Sequence, residues 1–121
     1  MLIHEYLDQQ IQFEKKYGNS TITLMQVGSF FEFYGVNNKH EKIGNAEHIT
    51  ELLNIQLTRR NKAILENSRN NALMAGFPTH SLKKFIEILL NNQYTIILIE
   101  QVTPPPNPKR EVTQIYSPGT Y

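Results

Sequence analysis

Thr21-Ile22-Thr23-Leu24-Met25-Gln26-Val27-Gly28-Ser29-Phe30-Phe31-Glu32-Phe33-Tyr34 is the stretch on which the reading of this chain turns. It is rich in β-branched and aromatic residues, which favour a pleated strand. Gly28-Ser29 interrupts it as a turn, or as a bulge within one bent strand. Successive strand side chains point to opposite faces, so Phe31 and Phe33 share one face while Phe30, Glu32 and Tyr34 share the other. Burying both faces would bury the Glu32 carboxylate without a partner, at a cost of several kcal/mol. Phe31 and Phe33 are therefore expected in the core, and Phe30 and Glu32 are expected to project together. Taken alone, Phe30 also fits simple packing.

Outward from this stretch the pattern alternates between helix and strand. Residues 2–17 carry Leu2, Ile3, Tyr6, Leu7, Ile11, Phe13 and Tyr17 near helical spacing, and Gly18 follows as a stop. Residues 35–45 read as a polar loop. Asn45 is placed to cap a helix over Ala46 to Leu53. Ile55 to Thr58 reads as a short strand, residues 61–71 as a surface loop, and Ala72 to Pro78 as a buried strand and turn. Ser81 is placed to cap a helix with Leu82, Phe85, Ile86, Leu89 and Leu90 inward. Tyr94 to Gln101 is the strongest strand, Pro104 to Pro108 a stiff connector, and Glu111 to Ser117 a last strand. The expected fold is mixed α/β of the α+β type. It is a single domain, a small mixed sheet of about five strands flanked by about three helices. The chain stops directly after a strand, which suggests an excised domain.

Composition narrows the functional classes. The 121 residues are 40% hydrophobic and 19% charged, and cysteine is absent. A chain of this size buries roughly two-thirds of its unfolded surface, enough for a core without staples. The lack of cysteine removes disulfides, thiolate metal sites and thiol nucleophiles, and fits an intracellular setting. No apolar run approaches the length of a membrane helix, so no membrane partner is expected. No glycine-rich phosphate loop is present. The four histidines lack metal-ligand spacing, and Glu32, Glu47, Glu51, Glu66 and Glu100 are scattered rather than clustered as in a two-metal nuclease. No catalytic residues and no cofactor are expected in this chain.

Charge is uneven. Residues 39–84 hold eight basic and four acidic groups, while the flanking segments are each net negative, and the whole chain is +1. The middle third, around Arg59-Arg60, has the charge of a localised phosphate-binding face. Lysines kept for solubility would give the same count.

Taken in order, the motifs resemble a known family. Gly28-Ser29-Phe30-Phe31-Glu32-Phe33-Tyr34 resembles the "GDFYE" segment of the MutS family, the sensors of DNA mismatch repair. Leu57-Thr58-Arg59-Arg60 is similar to its "LTKR", and Met74-Ala75-Gly76-Phe77-Pro78-Thr79-His80 to its "MAGIPYH". Glu100-Gln101 is similar to its "EQ", and Ser117-Pro118-Gly119-Thr120 to its "TPGT". The resemblance implies that residues 1–121 are the N-terminal mismatch-recognition domain of a larger protein. It implies Phe30 as a minor-groove wedge, and Glu32 as its partner bonded to the displaced base. It implies Arg60, and with it Arg59, as backbone contacts, and Met74 close to the kinked region. The partner implied is double-stranded DNA with mismatches or small loops. ATP and magnesium would belong to an ATPase domain outside this chain, in a homodimeric parent. Ser29 stands where the family usually has Asp, Val27 where Met is common, and Thr79 where Tyr is usual. Gly35 to Asn45 looks longer than typical. The stretch Met25 to Val36, "MQVGSFFEFYGV", looks more like the divergent branch of giant viruses and octocoral mitochondria than like ordinary bacterial members. Two other classes stay open on the residues alone: a protein-interaction module using Phe30 and neighbouring aromatics, and a nuclease-like enzyme.

Overall fold

The computed structural model describes residues 2–119. In chain order the elements are α1 (Leu2–Tyr17), β1 (Thr21–Val27), β2 (Phe30–Asn37), β3 (Lys42–Ile43), α2 (Ala46–Leu53), β4 (Thr58–Arg59), β5 (Leu73–Pro78), a 3-10 turn (Thr79–Ser81), α3 (Leu82–Asn91), β6 (Thr95–Gln101) and β7 (Arg110–Tyr116). The expected mixed α/β class and the three helices are present. Among the described residues the strands number seven, two of them only two residues long.

Gly28, at a φ of +62°, makes the break between β1 and β2 a tight turn and not a bulge. The two strands pair antiparallel, with Val27 opposite Phe30 and Met25 opposite Glu32. The other edge of β2 pairs antiparallel with β5, which places Phe31 opposite Phe77 and Glu32 opposite Gly76. The other edge of β1 pairs parallel with β6. The sheet order is β4-β5-β2-β1-β6-β7, with β3 beside the far end of β2.

The two faces are covered by different helices. Phe31 and Phe77 lie together, and the Phe85 ring of α3 meets Phe77 edge-on at 4.7 Å between centroids. Tyr34 has the opposite strand parity, and the Tyr6 ring of α1 meets it edge-on at 5.1 Å. Helix α1 therefore lies on one face and α3 on the other, and both faces of β1 are covered over most of its length. Phe31 and Phe33 are buried, as their alternation requires.

Beyond residue 25, counted backwards along β1, the strand no longer pairs with β2, and α1 fills the gap. The Gln10 side chain donates from Nε2 to Thr21 O at 2.7 Å and accepts from Thr23 N at 2.9 Å. One amide thus supplies the donor and acceptor of a missing strand. Tyr6 Oη also donates to Thr23 O.

Four local expectations are corrected. Residues 35–45 are not all loop: β2 continues to Asn37, and β3 folds back on it with Val36 opposite Ile43. The apolar alternation of Tyr34 and Val36 simply carries on, and Asn38 Oδ1 closes the turn by accepting from the amides of His40 and Glu41. Asn45 occupies the cap position of α2 without capping it by side chain; its Nδ2 donates instead to Tyr94 Oη at 3.0 Å. Ser81 likewise gives no side-chain cap, because a 3-10 turn feeds directly into α3. Only Thr58 of the expected strand at 55–58 is in β4; Ile55 and Leu57 pack on the core instead. Thr120, the last residue of the "TPGT"-like motif, lies outside the described residues.

Candidate nucleic-acid interface

Along β2 the face that carries Phe30, Glu32 and Tyr34 passes from open to closed. Phe30 is 45% exposed, Glu32 is half-buried, and Tyr34 is buried. The cause is the reach of α1, whose Tyr6 covers the Tyr34 end, while Phe30 sits beyond it at the tight turn. A large aromatic ring left this open loses much of the stabilisation that burial would give it.

Glu32 is not unpartnered. The Tyr34 hydroxyl donates to its Oε1. Burial first, and then the Glu32 carboxylate, push the Tyr34 hydroxyl above the usual tyrosine range, so it remains a proton-bearing donor. Across the ladder stands Gly76, where a Cβ would lie 3.3 Å from Glu32 Cγ and 3.0 Å from Phe31 O. The absence of a side chain there leaves the carboxylate open to solvent on that side.

Met74 lies on the same face, opposite Tyr34 in β2 and Thr58 in β4. Phe30, Glu32, Thr58, Lys62, Met74 and Gly76 line an open cleft of about 310 Å³. A larger hollow of about 630 Å³ runs between the end of α3 and Pro118. It gathers neither an aromatic nor a basic side chain, whereas the smaller cleft brings together an aromatic ring, a carboxylate and a lysine.

The basic residues separate into two sets. Arg59 faces its own loop, donating from Nε to Ile64 O at 2.9 Å and from Nη2 to Lys62 O at 3.1 Å. Arg69 closes the other end of that loop with a forked bond to Glu41 and a 3.5 Å approach to Asp8. This pairing holds the Glu41 carboxyl below its usual range. Asn71 is buried between them, accepting from Asn61 N and donating to Ile64 O and Glu66 O. The loop at 61–71 is on the surface as expected, but its backbone is braced. Arg60 is exposed, and its charge, like that of Arg110, is felt at the Tyr34 hydroxyl. Arg110 donates from Nε to Gln26 O at 2.7 Å, anchoring it beside the β1–β2 hairpin.

The structure thus brings Phe30, Glu32 and Met74 onto one face, with Arg60 near it and Arg59 engaged with the loop. Three residues around this face were not singled out by the sequence reading: Lys62, Gly76 and Arg110. Arg110 comes from β7, after a proline-rich connector, and no spacing in the sequence ties it to Phe30. Tyr34 was placed on the right face, but its bond to Glu32 required knowing how deep the strand runs under α1.

The chain is similar to known proteins over nearly its whole length. Residues 6–121 match the family model for MutS domain I. A DNA mismatch repair mutS homologue of Acanthamoeba polyphaga mimivirus is 32% identical over 117 residues, covering 96% of this chain and 10% of the viral protein. The DNA mismatch repair protein MutS of Streptococcus gordonii is 35% identical over 118 residues, covering 94% of this chain and 12% of the relative. HexA of Streptococcus pneumoniae is 34% identical over a similar span. The chain spans about a tenth of the length of these curated relatives. Viral and bacterial identities are alike, so they favour neither branch. On the match over nearly its whole length, the chain belongs to the MutS family, as domain I.

Proposed function

We propose that this chain senses mispaired or looped duplex DNA by pressing Phe30 between base steps from the minor groove, with Glu32 hydrogen-bonded to the displaced base. The observation that supports it most is the pairing of an exposed ring and a half-buried carboxylate, two residues apart on one strand face. An apolar wedge unstacks a base step at a cost of a few kcal/mol and kinks the duplex. A mispaired or bulged base is already poorly stacked, so the cost is lower there. Discrimination then rests on deformability and not on base sequence. The Glu32 carboxylate is repelled by phosphates, which penalises intact duplex unless a displaced base offers it a hydrogen bond.

In this reading Arg60, Lys62 and Arg110 contact the phosphate backbone without reading sequence. Met74 lines the cleft beside the wedge. Arg59 acts by holding the 61–71 loop in place. The chain itself is non-catalytic. Its parent is a longer intracellular protein acting as a homodimer, whose ATPase domain holds ATP and magnesium. That the chain spans a tenth of its relatives supports a larger parent.

The test is titration of the full-length protein against matched, G·T and single-nucleotide-loop duplexes by gel shift. Tighter binding to the two lesions, weakening with salt, is expected. Equal affinity for all three overturns the reading. Among the described residues, no helix is long and apolar enough to cross a membrane.

A further inference from the structure

We infer that Tyr34 is a positioning residue for lesion discrimination, its hydroxyl holding the Glu32 carboxylate in the orientation that meets a displaced base. This rests on the proposed roles of Phe30 and Glu32. The geometry that supports it is a chain of fixed contacts behind the exposed face. Tyr6 Oη is tied to the β1 backbone at Thr23 O. The Tyr6 ring packs edge-on against Tyr34 at an interplanar angle of 77°. Tyr34, buried by this contact, donates to Glu32 Oε1. On the opposite side of Glu32 is Gly76, which has no side chain to offer.

Tyr34 therefore holds the carboxylate from its own strand, and it engages Oε1. Glu32 itself lines the cleft that it shares with Phe30 and Met74. A glutamate without this tether samples several rotamers, and ordering it on DNA then costs side-chain entropy. It can also swing out of the groove when the duplex is intact, which removes the repulsion that penalises matched DNA. Both effects act in the same direction. Losing the hydroxyl weakens binding to lesions, strengthens binding to matched duplex, and narrows the gap between them.

The test is Tyr34→Phe in the full-length protein, which removes one oxygen and keeps the ring on Tyr6. The ratio of lesion to matched affinity is expected to fall about fivefold to tenfold, the scale of one charge-assisted hydrogen bond after solvent compensation. The same substitution is then made in a Glu32→Ala background, where it is expected to change the ratio by less than about twofold. A purely packing role would show the same effect in both backgrounds. An unchanged ratio in Tyr34→Phe overturns the inference, and so does an equal fall with and without Glu32. Phe30→Ala, measured alongside, separates the two levels. If it leaves the lesion preference intact, the wedge reading itself fails. If it removes the preference and Tyr34→Phe does not, only the role of Tyr34 fails. Measurements are made well below each variant's melting temperature, so that a modest stability loss does not enter the ratio.

Discussion

Glu32 and Gly76 face each other across the β2–β5 ladder, and the bare Cα at 76 is what lets the Glu32 side chain stand where it does. A methyl group at 76 would sit 3.0 Å from Phe31 O, a backbone atom that cannot move without shifting the strand. Gly76→Ala is therefore expected to destabilise the domain by about 1–3 kcal/mol through overpacking. A melting curve is expected to fall by several degrees, and the lesion preference with it. Unchanged melting would mean the ladder relaxes at no cost.

Two phenylalanines one residue apart in parity should behave in opposite ways. Phe33 is fully buried and Phe30 is 45% exposed. Phe33→Ala is expected to cost about 3–5 kcal/mol. Phe30→Ala is expected to change stability by less than about 1 kcal/mol while abolishing lesion preference. Denaturant midpoints for both variants, set beside duplex titrations, check this. A large stability loss at Phe30 would return that ring to the core.

Gln10 takes the place of a strand partner for β1. Gln10→Ala leaves Thr23 N–H and Thr21 C=O buried without their partner. At about 1–3 kcal/mol for each unsatisfied group, a loss of about 3 kcal/mol is expected. Urea unfolding is expected to show a lower midpoint at an unchanged slope.

The two neighbouring arginines are expected to differ. Arg60→Ala is expected to lower affinity for matched and lesion duplexes alike and to reduce the salt slope by about one. Arg59→Ala removes the bonds to Lys62 O and Ile64 O. Its signature is faster amide exchange across residues 61–71.

Alkaline pH is expected to unfold the domain. Burial is the largest cause raising both the Tyr6 and Tyr34 phenols above the ordinary value of 10.0. The folded state keeps protons that the unfolded chain releases. The stabilisation is therefore complete below the ordinary value and declines as pH rises above it. Melting temperature is expected to fall above about pH 10, and Tyr34→Phe is expected to blunt the fall. A flat profile to higher pH would contradict the burial of these hydroxyls.

Much of this molecule is legible in local pattern. Periods of 3.6 and 2 are properties of the backbone, so the spacing of Tyr6, Leu7 and Ile11 and the alternation through Phe31 and Phe33 announce helix and strand. Caps were less legible. Asn45 and Ser81 are the right residue types at the right positions, yet each side chain found no role at its helix end, and Asn45 found a tertiary partner in Tyr94. The return strand β3 was hidden, because its two residues carry too few positions to show a period.

The sequence by itself determined which residues face inward along β2, that Phe30 and Glu32 share a face, and where positive charge is concentrated. It could do so because alternation and local charge depend only on neighbours along the chain. The tertiary structure decided how far α1 covers that face, that Tyr34 holds Glu32, and that Gly76, Lys62 and Arg110 converge on it. Those are contacts between segments brought together by the sheet order, and residue spacing along one strand carries no record of which distant strand will lie beside it.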